Sequence, residues 1–467
     1  MKTSLNLLVS ISLLVTAIGC DSSPSGAGGG GGEGGQAGMG GSGGSTGPTA
    51  PELLSEWELF SDIRHQRPAE GVIPFQVTSP LFTDDALKRR FVTLRKGGKI
   101  EYFNDTTRWQ SPVGTIYVKT FAYPPNLEDP ETDGLEQLVE TRLMEHVAAE
   151  DDSLGCNGAA SCWQVHVYVY NDEMTDAVRQ SGGATVSIEY TNPVEKECSD
   201  DQSPCELDED CAGFMSGATC DNVQESVPNY GVPSNGACRR CHGADNTRTL
   251  GPSTGMLNRG NEYIVDEPVA NQIDQLYALG MLTPEPPPKD QRTTYVDPVL
   301  YTQPEPEGCQ TPACFHEAAR SYFDPNCSQC HAPDGVGKGT GLWLDYASMD
   351  PEGATIADFR RWGVCRTPTS AGGVRNCGDA SVDIVPGDPD NSILLCRIDS
   401  VKPGEMMAPL GRSLVDENGY DVIRRWIADL PALFPDIPTS CDGSGGAGGE
   451  GGAGGEGGEG GAGGEAP

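Results

Sequence analysis

Two short runs hold the residues best suited to chemistry: Cys238-Arg-Arg-Cys241-His242 and Cys327-Ser-Gln-Cys330-His331. Thiols three positions apart reach the two vinyl groups on one edge of a porphyrin. The adjacent imidazole then falls under its iron as an axial ligand. The spacing therefore predicts two covalently bound haem c groups (iron), with His242 and His331 as metal ligands. Three other chemistries use part of the pattern. A thioredoxin-like CxxC needs no following histidine, and neither run reads as the strand-to-helix junction expected there. A zinc site joining both pairs would exceed the usual ribbon spacing. Structural disulfides remain the bland alternative, but two complete CxxCH matches in one cysteine-rich chain argue against coincidence.

The elements around the second run are mostly helical. A helix over Phe315–Phe323 leads into the motif, a glycine-rich loop follows it, and a short helix covers Ser392–Ile398. A final helix over Tyr420–Leu430 places Val422, Ile423, Trp426, Ile427 and Leu430 on one face, against Arg424, Arg425 and Asp429. This order, with Glu405-Met-Met-Ala-Pro-Leu-Gly-Arg before the last helix, resembles the small class I cytochrome c domain over residues 309–433. The resemblance implies that the first and last helices cross, that haem sits beneath them and that a loop methionine supplies the sixth ligand. Carried over, His331 is proximal and Met407 distal, with Met406 as its neighbour. A long loop containing Cys365 and Cys377 departs from that pattern.

The first run has no amphipathic helix before it; Pro228 to Ala237 leads in instead. A helix is expected near Glu267–Leu282. Met256 and Met281 are candidate sixth ligands there. His65, His146, His166 and His316 are the histidines outside the motifs, and an open position is a further alternative.

Upstream, runs beginning at Arg90, Gly114, Gln137 and Trp163 alternate apolar with polar residues and favour β-branched and aromatic types. The expected fold is multidomain: an N-terminal all-β domain, sandwich or barrel-like, then mainly α cytochrome c-like haem domains. The divisions are a β-rich domain at 51–195, a cysteine-rich acidic insert at 196–226, a first haem module at 227–305 and a class I cytochrome c-like domain at 306–436. The folded chain as a whole resembles a bacterial family of dihaem c-type cytochrome lipoproteins with an N-terminal β-rich domain of unknown function. The matching stretches begin at Val72, Pro112, Cys238, Leu250 and Ile384 and include the Met406–Met407 turn. That resemblance implies electron transfer and names no substrate.

The ends are different in kind. Lys2, an apolar run from Leu5 to Ile18 and Gly19-Cys20 resemble a bacterial lipoprotein signal at 1–20, with lipid on Cys20. Of the 62 glycines, 29 crowd into a linker at 21–50 and a Gly/Glu tail at 437–467, both expected to be disordered. Apart from Cys20 and the four motif thiols, twelve of the 17 cysteines remain, an even number that suits disulfides in an oxidising compartment. Cys156/Cys162, Cys309/Cys314 and Cys365/Cys377 are the easiest bridges to imagine, although spacing fixes no connectivity. A net charge of −37 excludes nucleic acid as a partner and favours redox proteins with a basic docking surface. The leading reading is an electron carrier in the bacterial cell envelope, lipid-anchored on the periplasmic or cell-surface side. The alternatives are a dihaem oxidoreductase, peroxidase-like or a small-donor dehydrogenase, with an open first haem, and a surface-binding lipoprotein.

Overall fold

A six-stranded antiparallel sheet is the largest element. In the computed structural model, residues 50–441 are described except 126–135, 150–155, 157, 200–204, 206–210, 212–218, 244–246, 261–270, 302–307 and 369–376. The described residues all belong to one compact unit, residues 46–467. The expected signal and lipidation site at Cys20, and the tail beyond Cys441, lie outside the described residues. So do most of the linker and the start of the helix expected near Glu267.

The strands run β1 (Phe60–Asp62), β2 (Arg67–Pro68), β3 (Ile73–Phe75), β4 (Leu87–Leu94), β5 (Ile100–Glu101) and β6 (Thr115–Tyr123). They continue with β7 (Gln137–Ala148), β8 (Ser161–Tyr170), β9 (Ala177–Arg179), β10 (Ala184–Cys198), β11 (Cys220–Val232) and β12 (Leu282–Thr283). The large sheet has the order β3-β4-β6-β7-β8-β9. It is one open sheet, not the expected sandwich or barrel, because both of its faces are covered by other parts of the chain. Ile116 and Val118 of β6 pack with Trp57, Leu59, Leu143 and Tyr168 on one side. Phe121 and Tyr123 pack with Val167, Tyr230 and Cys238 on the other.

β10 and β11 form a long hairpin stapled by Cys198–Cys211 and Cys205–Cys220. Most of the cysteine-rich insert lies outside the described residues, and the expected boundary at 226/227 falls inside β11. The helices are α1 (Asn235–His242), α2 (Thr254–Leu257), α3 (Gln272–Ala278), α4 (Pro298–Tyr301), α5 (Pro312–Cys327), α6 (Ile356–Arg361), α7 (Ile393–Asp399) and α8 (Glu417–Leu433). The first CxxCH lies on α1, directly after β11, so this run does follow a strand. Cys238 sits in the middle of the helix and Cys241 in its last turn, however, and β11 pairs antiparallel in a hairpin.

α5 and α8 carry the core of the C-terminal region, where Phe323 and Trp426 meet edge-on at 5.5 Å and Trp362 is fully buried. Gly419 permits their close approach: a Cβ there would collide with the Tyr322 ring. The Tyr322 hydroxyl donates to Asp416 Oδ2 at 3.0 Å, and Asp416 also caps α8. No helix among the described residues is long and apolar enough to cross a membrane.

The segment from Val72 to Asp85 runs as a seam across the chain. Gln76 and Gln272 exchange two hydrogen bonds, at 2.7 and 3.0 Å. Thr78 N–H donates to the Met256 carbonyl at 2.9 Å, and Phe82 N–H to Asn326 Oδ1 at 2.8 Å. Asp84 accepts from Ser413 N–H at 2.7 Å and from Leu414 N–H at 2.8 Å. The β-rich region and both CxxCH regions are thus joined through one stretch of backbone.

Six disulfides are present among the described residues. Cys156–Cys162 and Cys309–Cys314 are as expected. Cys365 does not pair with Cys377. It bridges to Cys441 instead, because the Ile384 carbonyl is met by both the Cys365 backbone N–H and the Cys441 sulfur, while Cys377 reaches Cys396 on α7. The ordered chain consequently extends past the expected end at 436. Cys365–Cys441 spans 76 positions and Cys156–Cys162 spans 6, so loop entropy predicts losses of about 4 and about 2 kcal/mol on removal. Urea unfolding of the two double-alanine variants checks this. Equal losses would contradict it.

Candidate functional site

α1 begins at Ser234, whose hydroxyl accepts from Ala237 N–H at 3.2 Å, and it ends on His242 itself. The ring of His242 is fixed from outside the helix. Its Nδ1 donates to the Arg248 carbonyl at 2.8 Å, and Arg248 N–H returns a bond to the His242 carbonyl at 2.7 Å. This leaves Nε2 as the free nitrogen. α5 is capped by Thr311 and ends on Cys327, somewhat longer than the Phe315–Phe323 expected. After it the chain turns tightly: a Cβ on Gly335 would run into the Cys330 carbonyl. Thr340 Oγ1 lies 3.4 Å from His331 Nδ1, again leaving Nε2 free. Burial is the main cause holding both imidazoles down at about 4, so each is neutral at ordinary pH, the form that ligates metals.

Cys238, Cys241, Cys327 and Cys330 are the unbridged cysteines among the described residues. All four line a single cavity of about 700 Å³, together with His242 and His331. The two motifs touch there. Interaction between the Cys241 and Cys330 thiols across the cavity pushes Cys241 up and holds Cys330 down. Burial pushes Cys327 up to about 12 and Cys238 upward as well. Residues 86 positions apart are also tied by an Arg248–Asp334 ion pair, which connects the segment holding His242 to the loop after His331.

The sulfur donors separate cleanly. Met407 and Met256 line the cavity; Met406 and Met281 do not. The Met407 N–H donates to the Arg397 carbonyl at 2.8 Å, and its carbonyl accepts from Arg412 at 2.9 Å. Met256 is 6% exposed and packs also with Phe75, Trp109 and Ile273. Met144 on β7 reaches the same cavity, although no motif in the sequence singles it out. Its one signal is its even spacing from Glu140 and Arg142 along the strand, which places it on the same sheet face.

The four remaining histidines are engaged elsewhere and none lines the cavity. His316 donates to the Met349 carbonyl at 2.9 Å and accepts from Trp426 Nε1 at 3.0 Å. His146 bonds Ser111 and Ser161 and stacks on Trp163. His166 faces Glu145, and His65 faces Asp62.

Charge in the cavity runs opposite to that of the chain. Arg90, Arg108, Lys119, Arg142, Arg240, Arg366, Arg397 and Arg412 line it, against Asp324, Asp383 and Asp416. Burial pushes all three carboxyls up, Asp383 to about 6. A cationic enclosure inside a protein of net charge −37 suits a ligand that carries carboxylates. Two thiol pairs, two neutral imidazoles with free Nε2, thioether sulfur and cationic lining are together a donor set that fits haem c.

Comparison with protein-family models, with curated proteins and with solved structures yields no match. The function of the chain has to be sought in its own residues.

Proposed function

We propose that this chain is an exported, lipid-anchored dihaem c-type cytochrome that acts in electron transfer. The observation that carries the reading is the convergence of all four unbridged thiols of the described residues, with both motif imidazoles, on one cavity. Bound haem would supply a reversible one-electron couple at iron. Cys238/Cys241 and Cys327/Cys330 would attach the two groups, and His242 and His331 would ligate them from one side. Met407 would supply thioether sulfur at the second site; Met256 is the corresponding candidate at the first. The hydrogen bonds at each Nδ1 fix ring orientation and raise imidazole basicity. The shared cavity and the Arg248–Asp334 ion pair make this one two-centre unit rather than two independent carriers.

Lipid on Cys20 and location in the cell envelope belong to the same proposal, as does the bacterial dihaem family resemblance. The acidic surface favours redox partners with a basic face, and it disfavours nucleic acid.

A second reading, a dihaem oxidoreductase with an open first haem, is favoured by one observation. Met256 already serves the core around Trp109 and Ile273, and its carbonyl is held by Thr78. Carbon monoxide separates the two readings. The electron-transfer reading predicts an unchanged spectrum when the reduced protein is exposed to the gas. The oxidoreductase reading predicts one bound per chain.

A further inference from the structure

The sheet face toward the cavity carries a row of like charges. Arg90 on β4 pairs directly with Lys119 on β6, and Lys119 pairs with Arg142 on β7. Three cations opposed across adjacent strands destabilise a sheet unless an anion lies over them. Arg142 is engaged by Glu140, which also accepts from the Tyr230 hydroxyl at 2.9 Å. Arg90 donates to the Lys88 carbonyl at 3.1 Å. The Lys119 ammonium has neither a hydrogen bond nor an ion pair among the described residues. It lies 4.8 Å from the Phe121 ring, and its open side faces the cavity. The nearby anion, Glu140, is already paired with Arg142, and an ammonium enclosed with no counter-ion of its own is costly to keep, which points to a ligand that completes it.

The row sits against the first motif. Phe121 and Cys238 share a core cluster, and the charges of Lys119 and Arg142 both bear on the His242 imidazole. We infer that Lys119, flanked by Arg90 and Arg142, binds the propionate carboxylates of the haem attached at Cys238 and Cys241, so that the β-sheet is one wall of the first haem site. This rests on the dihaem reading and gives the β-rich region a role within it. The chemistry is that of cations on carboxylate, with Lys119 as the point charge and Arg142 as the fork already oriented by Glu140.

The test uses the full-length, haem-loaded protein, with Lys119→Met, Lys119→Arg and the two single-motif variants that assign each midpoint. Losing a cation beside a propionate disfavours the reduced, more negative state. Lys119→Met should therefore shift the first-haem midpoint to lower potential and leave the second in place, while Lys119→Arg preserves both. Stability gives an independent sign. Lys119→Met should lower the urea midpoint of the loaded protein. It should raise that midpoint in the Cys238→Ala/Cys241→Ala background, where the ammonium has no carboxylate to meet. An unshifted first midpoint, or a stability change of the same sign in both backgrounds, overturns the inference while the dihaem reading stands. Absence of covalent haem from the unmutated protein overturns both.

Discussion

Met407→Ala is expected to open a coordination position on the second haem, so that the reduced variant binds one carbon monoxide per chain. Thioether sulfur prefers the reduced iron, so its loss should also lower that haem's potential. The weak sulfur-to-iron band at the red end of the oxidised spectrum should disappear. The expectation is sharp because the turn is held from several directions. Met407 is fixed through Arg397 and Arg412, and the residues just after it are clamped by Asp84 across the sheet seam. Met406 is fixed differently, through its N–H to the Lys402 carbonyl at 3.0 Å, and it does not reach the cavity. Met406→Ala should therefore leave both the spectrum and the gas response unchanged. An exchange of behaviour between the two variants would contradict this register.

The second large effect is expected from Cys238→Ala with Cys241→Ala, which should halve the covalent haem from two per chain to one. The consequences should reach the other site. Arg248 links the His242 segment to Asp334 in the loop after His331, so the remaining haem should show a shifted potential while staying attached. A pyridine haemochrome assay against protein concentration reads the count, and a redox titration reads the shift. Retention of two haems by this variant would remove Cys238 and Cys241 as attachment points.

What was legible in the sequence was what is local. A CxxCH run declares its chemistry within five residues, and α8 declares its apolar face through Val422, Ile423, Trp426, Ile427 and Leu430. The strands were legible from alternation, since Ile116 and Val118 face one way and Tyr117 and Lys119 the other. What lies against the second face was not legible. Nothing in the spacing around Lys119 says that His242, more than a hundred residues later, packs near it. The shared cavity is likewise made by contacts between distant segments, so two motifs read as two modules came together in one enclosure. The sandwich or barrel expectation failed for the same reason: a two-stranded hairpin, β10–β11, and helix α1 cover one face of the sheet, so it needs neither a full second sheet nor closure. Cys365 and Cys441 are joined by the return of the chain after α8, which their sequence separation conceals.

The central claim is that both motifs carry covalently attached haem. Intact-mass measurement of the denatured, full-length protein from a host that attaches haem c tests it most directly. The account predicts the mass of the chain beginning at lipidated Cys20 plus two haems, with all twelve other cysteines of the described residues oxidised. A mass corresponding to one haem, or to none with Cys238, Cys241, Cys327 and Cys330 free to react with a thiol reagent, would contradict it.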